Sequence, residues 1–566
     1  MQLMPPNANP EGQHGMGRIN CITSHPTDTN TYWVGVAQGG VWKTVDDGAH
    51  WQPLTDDLPI IRINDIAVDP QHPDTMYIAV GDYAYLAAGL ELDDRKRNTH
   101  FGLGVYKSTD GGMSWNPTSL AYNLTDFDGS LIRRTFVHPD SSNWILAAGI
   151  EGIFSSADGG DTWTTVMDSL IWDIEADPSS PTTLYATGGW VQKLDAGYAA
   201  IYKSTDFGQT WTELNTGIPS TGSVQRIEIA IAPSNPDYLY ALGCGTGGGL
   251  ATFRRSTDGG QTWNEMINGS QFNFLEWNDG FWLDRGQGTY DLVLDVHHVD
   301  PDRVYAGGIN MWSSADGGQN WEGVSYWRGT YGPSLHADQH QLKRNPHTNH
   351  YFICNDGGLY RTDSIRSASW SDIQSGITQW PTNWDNLSDG LAVTSFYRLG
   401  LSASNASRLI AGAQDNSTYI TDGASWLNII GGDGMECIRH PTNPGILWGS
   451  SQFGNIVRSE NGGLNTNSVS SQISWVYNDE GEWTTPYSIH KFNPDFWVGG
   501  YGQVYVSYDG GENVAPISSF PAMQGSSVAS PASALALAPS TENVMYVAKR
   551  VYHGFNQPTQ VWHTDD

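Results

Sequence analysis

One short string constrains this chain more than any other feature. Ser/Thr-x-Asp-x-Gly-x-x-Trp occurs six times, at Thr44–Trp51, Ser108–Trp115, Ser156–Trp163, Ser204–Trp211, Ser256–Trp263 and Ser314–Trp321. Weaker copies follow at Thr362–Asp363, Asp422–Trp426, Ser459–Gly463, Ser507–Gly511 and Thr564–Asp566. From Asp46 to Asp565 the copies repeat about every 52 residues, the length of one four-stranded unit in a radially repeated β fold. Short strand patterns ending in Pro, such as Ile66–Pro70, Ile174–Pro178 and Ile229–Pro233, open the units. The expected fold is therefore all-β, a β-propeller of about eleven blades. The Asp carboxylates at 46, 110, 158, 206, 258 and 316 suit a structural role, because Asp caps its own turn by accepting backbone N–H groups. Gly supplies positive φ, and Trp51, Trp115, Trp163, Trp211, Trp263 and Trp321 are expected to be buried between strands.

Composition agrees and excludes several classes. With 39% hydrophobic residues, 16% charged, 65 Gly and 24 Trp in 566 residues, the chain has ample surface to bury and is neither disordered nor coiled coil. Its 28 basic against 60 acidic residues give a net charge of -32. Such a surface offers nothing to neutralise phosphates, so nucleic acid and anionic membranes are not expected partners. The acidic surplus permits calcium binding. No apolar run is long enough for a membrane span, and Met1–Pro6 shows neither the basic nor the apolar part of a leader. Cys21, Cys244, Cys354 and Cys437 have no metal or haem spacing and are expected as buried thiols.

The string resembles the Asp-box, or BNR, repeat. The resemblance extends along nearly the whole chain, through Gly17–Asn20, Gly39–Thr44, Gly286–Asp291, His336–His340, Asn355–Gly358, Gly412–Asn416 and Gly431–Glu436. In that order these strings are similar to large secreted Asp-box proteins of Bacteroidota, many with a type IX secretion sorting domain. The resemblance implies an extracellular or cell-surface protein, related to sortilin-like and xyloglucanase-like propellers. The xyloglucanase-like pattern implies tandem seven-bladed rings with a cleft between them; the sortilin-like pattern implies one ring of ten. We expect the tandem form: a seven-bladed propeller over 1–372, a connector over 373–390, and a partial second propeller over 391–566.

Candidate sites follow from residue type and spacing. On a strand His336, Asp338 and His340 share one face, where two imidazoles and a carboxylate can hold zinc or another divalent metal, or serve as acid and base. Such a pair is expected to titrate near pH 6. Asp356 follows on the next strand. Asp338, Asp356, Asp415 and Asp433 are the candidate catalytic carboxylates, since two acids across a sugar linkage suffice for glycoside hydrolysis. The aromatic-rich segment Phe272–Trp282, with Trp277 and Trp282, and the pair Trp380 and Trp384 are candidate sugar platforms. The xyloglucanase-like family carries one catalytic Asp just before the Gly-Gly of blade one, where this chain reads Gln38-Gly39-Gly40. Asp433 is a loose match to that family's second Asp. A sialidase motif is absent: Arg62-Ile63-Asn64 lacks the Pro. The first expectation is a binding or adhesion module for glycans or surface proteins. A polysaccharide hydrolase and a sortilin-like peptide-capturing module are the alternatives.

Overall fold

The structure, a computed structural model, describes residues 15–84, 102–125, 130–191, 196–219, 224–276, 285–327, 335–369, 371, 375, 384–403, 405–423, 426–522, 529–549 and 560–564. It is a β-propeller fold of antiparallel sheets, ten of them four-stranded and one three-stranded among the described residues. Two compact units divide the described residues, one running to Val393 and the other from Thr394 onward.

The larger unit holds seven sheets in chain order. The innermost strand of each packs on that of the next, and Ile19–Ser24 of the first sheet packs against Gln339–Arg344 and Tyr351–Asn355 of the seventh. The seven sheets thus close on themselves. A single ten-sheet ring would leave the first sheet without this partner. Second strands such as Tyr32–Val36, Met76–Gly81 and Leu239–Cys244 are buried along their whole length, because a sheet lies over each face. That is why they read as continuous apolar runs rather than alternating ones.

The unit ends at Val393, beyond the boundary at 372 that patterning suggests. Asp385–Asn386, inside the expected connector, forms the outer strand of the seventh sheet against Tyr360 and Arg361. Leu387 then accepts the Trp51 indole N–H at 3.0 Å, and Arg361 donates to Asp47 at 2.5 Å. A two-residue strand leaves no periodicity to read, which explains the misplaced boundary. The smaller unit contributes sheets over Phe396–Ile430, Cys437–Ser468, Tyr487–Pro516 and Ala532–Thr564.

Each box is a self-contained turn. In the second, Asp110 Oδ1 accepts the Ser114 N–H at 2.9 Å and the Ser108 hydroxyl at 2.8 Å, while Oδ2 accepts the Ser114 hydroxyl at 2.6 Å. The Ser114 side-chain bond, followed by its backbone bond, pulls the Asp110 carboxyl down to about 2. The same pattern recurs at Asp158, Asp206, Asp258, Asp316 and Asp509. Among the box tryptophans, Trp263 is fully buried. Trp51, Trp115, Trp163, Trp211 and Trp321 are half-buried, because the turn lies on the rim and leaves one ring edge to solvent. Ser204 is the buried anchor of its box, donating to Asp206 at 2.7 Å and accepting the Gly208 N–H at 2.8 Å. Ser204→Ala is expected to cost about 1–2 kcal/mol by leaving that N–H unpaired, and Ser204→Thr should restore it, since Thr44 fills the same role in the first box. Urea unfolding checks this; an unchanged midpoint for the Ala variant would contradict it.

Charge collects on the innermost strands. Arg134 donates to Asp173 at 3.2 Å, and Arg226 donates twice to Glu228 at 2.8 and 2.6 Å. Burial pushes Glu228 up to about 7, outweighing its arginines. The four cysteines are buried free thiols.

Candidate functional sites

At one end of the inner strands of the larger unit, side chains from sheets one, two, six and seven converge. Arg18 precedes the first inner strand and pairs with Asp82, which follows Met76–Gly81. Arg18 also donates to the Tyr290 hydroxyl at 3.1 Å, and Tyr290 donates to Asp356 Oδ2 at 2.7 Å. His340 Nε2 lies 2.5 Å from Asp356 Oδ1, and the His340 and Tyr290 rings meet edge to face at 5.0 Å. Arg226 reaches into the same region through the carbonyls of Tyr290 and Leu292, at 3.0 and 3.1 Å.

The expected His336, Asp338 and His340 face does not form. The strand begins at Gln339, and Asp338 sits in the left-handed region at φ 66°, so alternation is broken before the strand starts. His336 is buried, with Nδ1 3.2 Å from the Ala337 carbonyl. Asp338 instead accepts the Gln287 amide at 3.1 Å. Burial, helped by Arg18 and Arg226, holds His340 well below the usual imidazole range. It is therefore neutral and does not titrate near pH 6 as expected from sequence. As a neutral ring it can donate an Nε2 proton to Asp356.

The smaller unit has a second centre. Asp433 precedes Cys437–Arg439 on a glycine-flanked turn and is 5% exposed. Its Oδ1 accepts the Asp415 N–H at 2.6 Å, and its Oδ2 accepts the Gln452 amide. Burial, and then the Asp415 charge, push its carboxyl up to about 7. The facing loop is held in unusual backbone: Asp415 has φ 55° and Ser417 φ 77°. Ser417 N–H bonds the Gly432 carbonyl at 2.8 Å, so the strained loop is tied to the Asp433 turn. A side chain added at Gly431 would meet nothing within 4 Å, so the approach over this turn is open.

Beside it lies an aromatic pair that sequence reading missed. Phe453 follows the Gln452 that binds Asp433, and it too is left-handed, at φ 58°. Phe453 is 49% exposed and Trp483 is 43% exposed. Their rings meet edge to face at 5.3 Å, and Trp483 donates to the Tyr397 hydroxyl at 3.3 Å. Neither residue sits in a repeated string, and the only signal was an isolated aromatic in a turn.

The other aromatic candidates divide. Phe272 and Phe274, from the aromatic-rich segment, pack inward against Trp312 and Trp321 at 5.1 and 4.7 Å and belong to a core. Trp384 packs partly buried against the core between sheets six and seven. Trp277, Trp282 and Trp380 lie outside the described residues.

No protein-family model matches the chain. It is similar to an oligoxyloglucan-reducing end-specific xyloglucanase of Emericella nidulans, 26% identical over 198 residues, covering 32% of this chain and 23% of that one. It is also similar to the xyloglucanase Xgh74A of Acetivibrio thermocellus, 24% identical over 370 residues, covering 55% and 39%. The chain thus spans less than half the length of the curated relatives it matches. Among solved structures, the GH74 xyloglucanase from Xanthomonas campestris superposes with a TM-score of 0.60 at 16% identity, covering 96% of this chain and 85% of that one. This likeness concerns the fold. Among the described residues no helix is long and apolar enough to cross a membrane.

Proposed function

We propose that this chain is a glycoside hydrolase acting on a xyloglucan-like polysaccharide, with Asp433 as the proton donor. The observation that carries the reading is a buried carboxyl pushed up to about 7, set beside an exposed aromatic pair. A carboxylic acid that stays protonated near neutrality can protonate a glycosidic oxygen. Phe453 and Trp483 offer ring faces on which a pyranose can stack. Asp415 lies against Asp433 and raises its proton affinity, which makes it a tuning group. The similarity to xyloglucanases supports the substrate class. A polymeric glycan of this kind lies outside the cell, so the reading carries an extracellular or cell-surface location.

One observation favours a second reading, glycan binding without cleavage. Gln38 stands where the xyloglucanase-like family carries its first acid, and an amide cannot act as a general base. Kinetics of reducing-end release separate the two. Phe453→Ala and Trp483→Ala are expected to raise KM for long xyloglucan by up to about tenfold, with kcat retained. Unchanged KM in both variants would remove the platform from the reading.

A further inference from the structure

The converging side chains of the larger unit contain a charge that hydrogen bonding leaves unanswered. Asp291 is completely buried, and neither of its carboxylate oxygens has a hydrogen-bond partner. Its side chain lies within hydrogen-bonding reach of Asp338, another carboxylate. Oxygens of Asp338 and Asp356 in turn lie within 4.8 Å of one another. Two acceptors side by side repel unless a proton or a cation stands between them. An isolated buried carboxylate costs several kcal/mol when nothing compensates it.

The surroundings do not supply that compensation. The guanidinium of Arg18 is engaged by Asp82 and Tyr290. Those of Arg133 and Arg226 are engaged by Glu228 and by backbone carbonyls. Around these guanidiniums gather the carboxyl groups of Asp82, Glu228, Asp291, Asp338 and Asp356, so part of this acid cluster needs a proton or a further cation to offset it.

We propose that Asp291, Asp338 and Asp356 bind a hard divalent cation, calcium being the best match to the donor set. The ligands are carboxylate oxygens from three separate segments, at the entry to sheet six and on both sides of the first hairpin of sheet seven. Hard oxygen donors select calcium or magnesium over zinc, and calcium accepts an irregular oxygen set where magnesium demands a near-ideal octahedron. Asp356 can take part although both its oxygens accept hydrogen bonds, since each keeps a second lone pair. Its bonds from Tyr290 and His340 then orient the ligand, as outer partners do at metal sites. By joining sheets six and seven, the cation would brace the unit near the point where it closes on sheet one. This inference is independent of the hydrolase reading.

The test uses the full chain, stripped with a chelator and titrated with calcium chloride by calorimetry and by thermal melting. Saturable binding of one calcium per chain, with a melting temperature raised by several degrees, is expected. Asp291→Asn should weaken binding at least tenfold, and Asp158→Asn, in a rim turn, should not. If Asp291→Asn fails to fold, Asp338→Asn at its half-buried position carries the same comparison. A stripped wild-type chain that binds no calcium and melts unchanged would mean that a proton neutralises Asp291, and the proposal would be overturned. Binding that survives both substitutions would overturn it equally.

Discussion

Asp433→Asn is expected to lower kcat on xyloglucan by about 10²- to 10⁴-fold, the usual contribution of a positioned general acid. Asn keeps the size and the acceptor contact to the Asp415 N–H, and the Gln452 amide can turn so that its oxygen accepts from the new Asn NH2, so the turn should persist. The pH dependence follows from the raised carboxyl. The active form is the protonated acid, so kcat should fall as pH rises through about 7. Stability moves in the same direction. A carboxyl whose folded pKa lies above its unfolded value near 4 stabilises the fold fully only below that value, and loses this as pH rises through about 7. The Asn variant should therefore be more stable than wild type above neutrality while being the less active protein. A variant that loses stability and activity together would show Asp433 to be structural.

The second large effect concerns Arg226. Its guanidinium is buried, donates twice to Glu228, reaches the carbonyls of Tyr290 and Leu292, and lies 5.4 Å from the Trp172 ring centre. Arg226→Met fills similar space but leaves Glu228 buried without its closest cation. A loss of about 3–5 kcal/mol is expected, the range for breaking a buried pair from one side. Adding Glu228→Gln should recover a large part, because the stranded charge is then gone. Denaturant unfolding of the single and double variants checks this. A single variant within about 1 kcal/mol of wild type would mean that water or a neighbouring arginine already compensates Glu228.

The fold was legible because its signal is local. Every box closes within eight residues, and the Ser–Asp–Gly contacts that build it lie two to four residues apart. The sites were less legible because their contacts are long-range. Arg18 meets Asp82 and Tyr290, 64 and 272 residues away, and no spacing rule joins them. His336, Asp338 and His340 were read as one strand face, yet Asp338 is left-handed and the strand begins only at Gln339, so strand alternation does not run through the three. Asp291 stood inside a recognised Gly286–Asp291 string without being read as a ligand, since its lack of partners appears only once the neighbouring sheets are in place. Asp433 was a candidate from its Gly-rich setting and a loose family match. Its raised proton affinity needs Asp415 beside it, and two turns eighteen residues apart reveal that only when folded. The box tryptophans were read as buried from their size, but a rim position leaves five of the six, all except Trp263, only partly buried.

Glycan cleavage is tested most directly by incubating the purified chain with xyloglucan and resolving the products by mass. The predicted result is new xyloglucan oligosaccharides with free reducing ends, produced by wild type and not by Asp433→Asn. Retention of the polysaccharide by the protein with no new reducing ends, at any pH on either side of neutrality, would contradict the hydrolase reading and leave a binding propeller.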